Sequence, residues 1–207
     1  MDTSDNIEET NDSALDSSPT MVDENQDNFL SEVEENKEKS SSKNSYKVLA
    51  RKYRPQNFED LMGQEIMVQT LKNAFKTNRI AHAYILTGVR GIGKTTTARL
   101  LARSLNYETE TINEPNIDMI ELGKHCLEIM ESRHIDVIEM DAASRTGIAD
   151  IREIIDSVNY SPSSARYKIY IIDEVHMLSK AAFNGLLKTL EEPPPHVKFI
   201  FATTEVQ

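Results

Sequence analysis

The 207-residue chain has a single cysteine, Cys126, and no long apolar run. One cysteine cannot form an internal disulfide, and a zinc site made of four cysteines is excluded. Without a long apolar run the chain has no membrane span, and its acidic start lacks the basic residues of a secretion signal. We therefore expect a cytoplasmic protein with no membrane contact, of a size that suits one domain and a tail.

Basic residues are scarce at the amino terminus, where residues 1–44 hold 3 Lys against 13 Asp and Glu. This segment also has few large apolar residues, so it cannot bury enough surface to offset its ordering entropy. We predict a disordered acidic tail over 1–44. Residues 45–207 hold 21 acidic and 20 basic residues. The net charge of −11 thus belongs mainly to the tail and does not exclude nucleic acid as a partner of the remainder.

Four short apolar runs, rich in β-branched and aromatic residues, predict strands buried on both faces. They are residues 83–86, 135–140, 168–173 and 197–204. The helical patterns cover residues 94–105, 148–158 and 179–192, and a further one at about 64–77 precedes the first strand. Strands that alternate with helices predict an α/β fold, with a parallel sheet covered on both faces.

Glycine is also scarce, and three of the seven glycines fall in GVRGIGKT, residues 88–95. This segment follows the first strand, opens a helix and fits the phosphate-loop pattern of Gly, four residues, then Gly-Lys-Thr. Its glycines let the backbone approach a phosphate, which the loop N–H groups and the positive helix end stabilise. Lys94 is predicted to reach the β- and γ-phosphates and Thr95 to ligate Mg²⁺. The predicted nucleotide-binding residues are Gly88, Val89, Arg90, Gly91, Ile92, Gly93, Lys94, Thr95 and Thr96.

Acidic and hydroxyl residues follow two other strands. Asp173 and Glu174 end the strand KIYIID, at the sheet edge where ligands bind in open α/β folds. Asp173 suits Mg²⁺ ligation, directly or through water, and Glu174 suits a base that orients the attacking water. His176 completes a DExH string found in helicases, but a local hydrogen bond at a helix start is the favoured interpretation. Thr204, with its neighbour Thr203, could sense the γ-phosphate from the last strand.

Four segments together resemble the bacterial DNA polymerase III γ/τ subunit family, the AAA+ ATPases of the sliding-clamp loader. They are ARKYRPQNFEDLMGQE (50–65), LTGVRGIGKTTTARLLARSLN (86–106), IEMDAASRTGIADIR (138–152) and YIIDEVHMLSKAAFNGLLKTLEEPPPHVKFIFATT (170–204). The resemblance covers about residues 46–207. It implies a P-loop NTPase core, the RecA-like subdomain of AAA+ proteins, over residues 45–207.

The resemblance also implies residue roles. Lys94, Glu174 and Thr204 would be catalytic, while Thr95 and Asp173 would hold Mg²⁺. Candidate adenine contacts are Arg54, Pro55 and Met62. The alternative for that segment is a structural amino-terminal arm.

The implied function is that of an ATP- and Mg²⁺-dependent motor subunit. With the other clamp-loader subunits it would load the sliding clamp onto primed DNA. Arg145 and Thr146, at a helix start, could track the DNA backbone or form a simple capped loop. The alternative functions are a non-catalytic ATP-binding scaffold fragment and a DExH helicase, whose second motor domain has no room here.

The family continues past this sequence with a Ser-Arg-Cys motif, a lid subdomain and a helical collar. An arginine supplied by a neighbouring subunit contributes about 10³–10⁵ in rate in comparable NTPases. We therefore expect this chain, as a fragment of a longer protein, to bind ATP weakly and to hydrolyse it poorly.

In the same family a zinc module occupies the interval that corresponds to about residues 107–134. Its pattern is one cysteine after Leu-Asn and then Cys-x₂-Cys-x₂-Cys. Here Tyr107, Ile120 and Gly123 stand at three of these positions, and only Cys126 keeps its identity. We therefore expect no zinc at this site.

His125, Cys126 and His134 are the remaining candidate ligands in this insert. Adjacent residues rarely converge on one ion, so a substitute metal site is disfavoured. We predict instead a small helical excursion in which Cys126 is a buried residue. Its predicted apolar contacts are Ile120, Leu127, Ile129 and Met130.

Overall fold

The structure is a computed structural model, and it describes residues 49, 53–145 and 147–205. The predicted acidic tail and Thr146 lie outside the described residues. The strands are β1 Ala83–Thr87, β2 Val137–Asp141, β3 Lys168–Asp173 and β4 Val197–Thr203. The helices are α1 Glu65–Lys76, α2 Lys94–Leu105, α3 Cys126–Met130, α4 Ile148–Val158 and α5 Lys180–Glu191. Two 3₁₀ turns, Phe58–Asp60 and Val175–Met177, complete these elements.

The helix boundaries follow local sequence signals. Helix α2 begins after Gly93, whose φ of 98° is easily reached only by glycine. Helix α5 begins after Ser179, whose side chain accepts the N–H of Ala182 in a standard N-cap bond. It ends two residues before the run of prolines that starts at residue 193, which cannot continue a helix.

All four strands are parallel, in the order β1-β4-β3-β2. The predicted α/β fold with a parallel sheet is confirmed. In the register, Thr87 on β1 pairs with Thr203 on β4, and Asp141 on β2 pairs with Asp173 on β3. Because the strands run the same way, the segments that follow β1, β3 and β4 meet at one edge, the carboxyl edge of the sheet.

The core lies on both faces of the sheet. Ile169 and Ile171 of β3 face the cluster formed with α1, α2 and the insert, while Tyr170 and Ile172 face α4 and α5. The prediction that all strands are buried on both faces is wrong for β1. Ile85 remains 67 % exposed, because β1 lies at the edge of this sheet and one of its faces is uncovered within the described part of the chain.

The insert differs from its prediction in two respects. Its described helix is short, α3 alone, and it is preceded by irregular chain. Two of its four predicted apolar contacts are wrong, since Ile120 is 91 % and Leu127 52 % exposed. Ile117 and Met119, in the irregular chain before α3, are buried in their place. The predicted burial of Ile129 and Cys126 is confirmed, and Met130 packs partly buried against the same core.

Candidate nucleotide site

The phosphate-loop segment connects β1 to α2 at the carboxyl edge of the sheet. Gly91 and Gly93 have φ of 84° and 98°, and a Cβ added at either would meet nothing within 4 Å. The loop therefore needs glycine for its backbone conformation, and its outer face is open. The first N–H groups of α2 have no intrahelical acceptor and carry the positive end of the helix dipole. Such a cradle fits an anion of phosphate size.

Lys94 is the first residue of α2 and is only 8 % exposed. Its Nζ donates to the carbonyl oxygens of Gly88, at 3.0 Å, and Val89, at 3.3 Å. The ammonium is thus folded back over its own loop. It is held by two neutral acceptors, which a phosphate could replace or supplement with a stronger, charge-assisted bond.

Thr95 and Asp173 are brought together although 77 residues separate them in the sequence. The Thr95 hydroxyl donates to Asp173 Oδ2 in a short hydrogen bond. Asp173 Oδ1 accepts the backbone N–H of Glu174 at 3.0 Å. A hydroxyl and a carboxylate oxygen at one point are the hard donors that Mg²⁺ prefers, so the residues fit this ion.

Glu174 lies at the end of β3 in the left-handed backbone region, with φ of 49°. This conformation is costly for a residue with a long side chain. The Thr204 hydroxyl, from the end of β4, donates to Glu174 Oε2 at 3.3 Å. Glu174 and Thr204, the predicted base and sensor, are therefore neighbours at the edge that also carries the loop.

His176 makes a hydrogen bond that the sequence did not predict. The expected bond was local to a helix start, but the His176 Nδ1 pairs with Thr203 Oγ1 on β4 at 3.0 Å. The prediction is wrong because the 3₁₀ turn after β3 points the ring across the sheet edge rather than along its own turn. Thr203 itself is buried, with 6 % exposure.

The candidate adenine segment lies apart from this edge in the sequence. Met62 is 93 % exposed, while Arg54 and Pro55 are half-buried. The Arg103 guanidinium on α2 donates to the carbonyl of Gln56, which ties the segment to the helix that follows the phosphate loop. The role of Arg54, Pro55 and Met62 as adenine contacts stays a prediction.

Glu139 on β2 forms an ion pair beside α2. Arg99 donates to both of its carboxylate oxygens, at 2.9 and 2.6 Å, and Ser132 adds a third bond. Burial alone would raise the pKa of Glu139, but these bonds and the Arg99 charge outweigh it and hold the pKa below its usual range. The pair keeps α2, and hence the loop, fixed against β2.

The insert brings its polar residues together without making a metal centre. His134 Nε2 and His125 Nδ1 are 2.8 Å apart, and both rings are buried. Tyr107 fills the space beside Gly123, where an added Cβ would lie 2.8 Å from the Glu108 carbonyl oxygen and 3.1 Å from Cys126 Sγ. Within the described residues, no group of three or more His, Cys, Asp or Glu is arranged to hold a metal ion.

No described helix is long and apolar enough to cross a membrane.

Comparison with known proteins shows the family to which the chain belongs. The family model described as "DNA polymerase III, delta subunit" matches residues 63–207, well over half of the chain. The chain belongs to this family. The match includes the phosphate loop, Asp173 and Glu174 at the end of β3, and the end of β4.

Similar proteins include tau and gamma subunits of DNA polymerase III. The chain is 53 % identical over 163 residues to "DNA polymerase III subunit tau" of Escherichia coli, covering 79 % of this chain and 25 % of that protein. It is 54 % identical over 162 residues to "DNA polymerase III subunit gamma" of Buchnera aphidicola subsp. Acyrthosiphon pisum, covering 78 % and 44 %. The resemblance to the γ/τ subunit is confirmed. The chain spans less than half the length of these relatives.

Solved structures of similar proteins include two from Thermotoga maritima. A DNA polymerase III, gamma subunit-related protein is 25 % identical, with a TM-score of 0.43, covering 66 % of this chain and 39 % of that chain. The RuvB Holliday junction branch migration motor is 20 % identical, with a TM-score of 0.46, covering 74 % and 42 %.

Proposed function

We propose that this chain is the nucleotide-binding part of the ATPase motor subunit of the DNA polymerase III clamp loader. Together with other clamp-loader subunits, the whole protein would load the sliding clamp onto primed DNA at the expense of ATP. The observation that carries the proposal is the meeting of three groups at one sheet edge. They are the phosphate loop with Lys94, the Thr95–Asp173 pair and the Glu174–Thr204 pair.

Each residue has a distinct part in this proposal. The loop N–H groups and Lys94 bind the β- and γ-phosphates. Thr95 and Asp173 hold Mg²⁺, which when bound supplies charge stabilisation for the transferred phosphoryl group. Glu174 orients the attacking water and accepts its proton, and Thr204 fixes the position of the Glu174 carboxylate.

The proposal is tested on the full-length subunit assembled with its clamp-loader partners. ATP hydrolysis is measured alone, with primed DNA, and with primed DNA and sliding clamp. We expect stimulation that requires both. Absence of stimulation would overturn the clamp-loader function, and ATP-dependent unwinding of a duplex would favour the helicase alternative.

A substitution separates binding from turnover. Glu174→Gln keeps the size of the side chain but removes its basicity, so we expect unchanged ATP affinity and a loss of turnover of about 10²–10⁴-fold. The matched control is Glu191→Gln, at an exposed glutamate of α5, which should change neither. Normal hydrolysis by the Glu174 variant would show that the base lies elsewhere.

A further inference from the structure

His176 lies between the end of β4 and the candidate base. Its Nδ1 is 3.0 Å from Thr203 Oγ1 and 3.6 Å from Glu174 Oε2. The first distance is that of a hydrogen bond and the second is beyond one. The ring is mostly buried, with a side-chain exposure of 20 %. One ring nitrogen therefore has two oxygen neighbours, and the structure pairs it with the hydroxyl.

The Thr203 hydroxyl, which pairs with His176 Nδ1, makes a second hydrogen bond to the backbone. Thr203 Oγ1 also accepts the backbone N–H of Glu205 at 3.1 Å. The hydroxyl thus bridges the chain after β4 and the imidazole. Its neighbour Thr204 bonds to Glu174 directly, at 3.3 Å. Thr204 thus holds Glu174 directly, while Thr203 holds the imidazole that lies beside Glu174.

We propose that Thr203 is a positioning residue for Glu174, because its hydroxyl binds the His176 ring and so keeps that ring from capturing the Glu174 carboxylate. This inference rests on the proposed function, since it concerns the orientation of the proposed base. With the hydroxyl present, Nδ1 bonds to Thr203, and Glu174 is held by Thr204 alone. Without it, an Nδ1 that carries the ring proton has the Glu174 carboxylate oxygen, at 3.6 Å, as its neighbouring acceptor. A small ring rotation would close the 3.6 Å gap and turn Glu174 away from the attacking water.

The first test removes one hydroxyl. Thr203→Val keeps the shape of the side chain, and we expect turnover of ATP by the assembled full-length subunit to fall by about tenfold, the effect of one misplaced hydrogen bond. ATP affinity should stay within about twofold, since the proposed phosphate ligands are the loop N–H groups and Lys94, not Thr203 or His176. Thr87→Val is the matched control, because Thr87 is the β1 residue paired with Thr203 in the sheet. A loss of affinity instead of turnover, or an equal effect of the control, would overturn the proposal.

The second test asks whether Thr203 acts through His176. In a background of His176→Ala, Thr203→Val should have no further effect on turnover, because the ring that would capture Glu174 is gone. The double variant should therefore turn over ATP faster than Thr203→Val does alone. Additive losses, or a double variant no faster than Thr203→Val, would contradict the proposal.

A third measurement does not depend on ATP hydrolysis. In the 207-residue chain, the ¹⁵N chemical shifts of the His176 ring report which nitrogen is hydrogen-bonded. Thr203→Val should shift them and Thr87→Val should not. Unchanged shifts would refute the Thr203–His176 link even if the chain proves not to be an ATPase. A wild-type subunit that fails to bind ATP would instead refute the proposed function.

Discussion

The carboxyl edge of the sheet and the insert both gather polar side chains, but they use them differently. At the edge, Lys94 is held only by loop carbonyls, and the glycines beside it leave open space. In the insert, His134 and His125 bond to each other, and Gly123 is packed against Tyr107 and Cys126. The edge thus has room and donors for a ligand, whereas in the insert the two histidines bond to each other, and His125 Nε2, 3.6 Å from Glu108 Oε2, is buried without a hydrogen bond.

This difference shows that a cluster of chemically capable residues is not by itself a site. Tyr107 illustrates the insert's solution. Its hydroxyl donates to the Glu121 carbonyl oxygen at 3.0 Å. This hydrogen bond joins the two ends of residues 107–121 at a position where the family pattern has a cysteine. Substitutions at the edge and in the insert test this contrast.

The largest effect is expected at the edge. Lys94→Ala should weaken ATP binding by at least about 100-fold, because a charge-assisted bond to phosphate contributes roughly 1.5–3 kcal/mol and this lysine can make two. Isothermal titration of the chain with Mg²⁺-ATP measures it. Lys188→Ala, at an exposed lysine of α5, is the control and should bind as wild type does. Retained affinity in the Lys94 variant would mean that the edge is not the nucleotide site.

A smaller effect is expected from overpacking the insert. Gly123→Ala places a Cβ 2.8 Å from the backbone oxygen of Glu108, so the free energy of unfolding should fall by about 1–3 kcal/mol. Gly185→Ala is a matched substitution with the opposite expectation. Gly185 lies inside helix α5, and a Cβ added there would meet only Ile155 of α4, at 3.5 Å. The free energy of unfolding should therefore rise by roughly 0.4–1 kcal/mol.

Chemical denaturation measures the free energy of unfolding of both glycine variants, and titration with ATP measures their affinity. The affinity should be unchanged in both, because the atoms that an added Cβ would meet at Gly123 or Gly185 lie outside the phosphate loop and the residues that follow β3 and β4. An affinity loss in the Gly123 variant that remains under conditions where the protein is folded would show that the insert shapes the nucleotide site.

The smallest effect concerns pH. His134 Nδ1 accepts the backbone N–H of Asp136 at 3.0 Å, so the ring proton sits on Nε2 and is donated to His125. Burial and then His125 lower the pKa of His134 from 6.5, against smaller opposing effects of the Asp136 and Glu128 charges. The folded state thus binds fewer protons than the unfolded state below this pH.

The stability contributed by the neutral His134 is therefore complete above pH 6.5 and is lost as the pH falls through its lowered pKa. The lowered pKa values of Glu139 and Asp136, with ordinary values of 4.5 and 3.8, add their losses only at lower pH. Urea unfolding between pH 7 and 4.5 measures the slope. His134→Gln should flatten it, and an unchanged slope would contradict the role of His134.

Most of the fold could be predicted from the sequence because its signals are local. Helices α2 and α4 begin and end at the predicted residues, and β3 covers the predicted residues. The edge could be anticipated because parallel strands bring their carboxyl ends together. Three features could not be read from the chain. They are the exposure of β1, the outward face of Ile120 and the bond from His176 to Thr203, which all depend on how distant segments pack.

The order of the strands has a consequence for synthesis. β4 is the last described strand in the sequence, yet it lies between β1 and β3 in the sheet. At about 5–20 residues per second, the roughly one hundred residues between the phosphate loop and β4 take about 5–20 seconds to translate. Through that interval β1 lacks the strand with which it pairs in the folded sheet, so its pairing through residues 83–87 waits until residues 197–203 have been made.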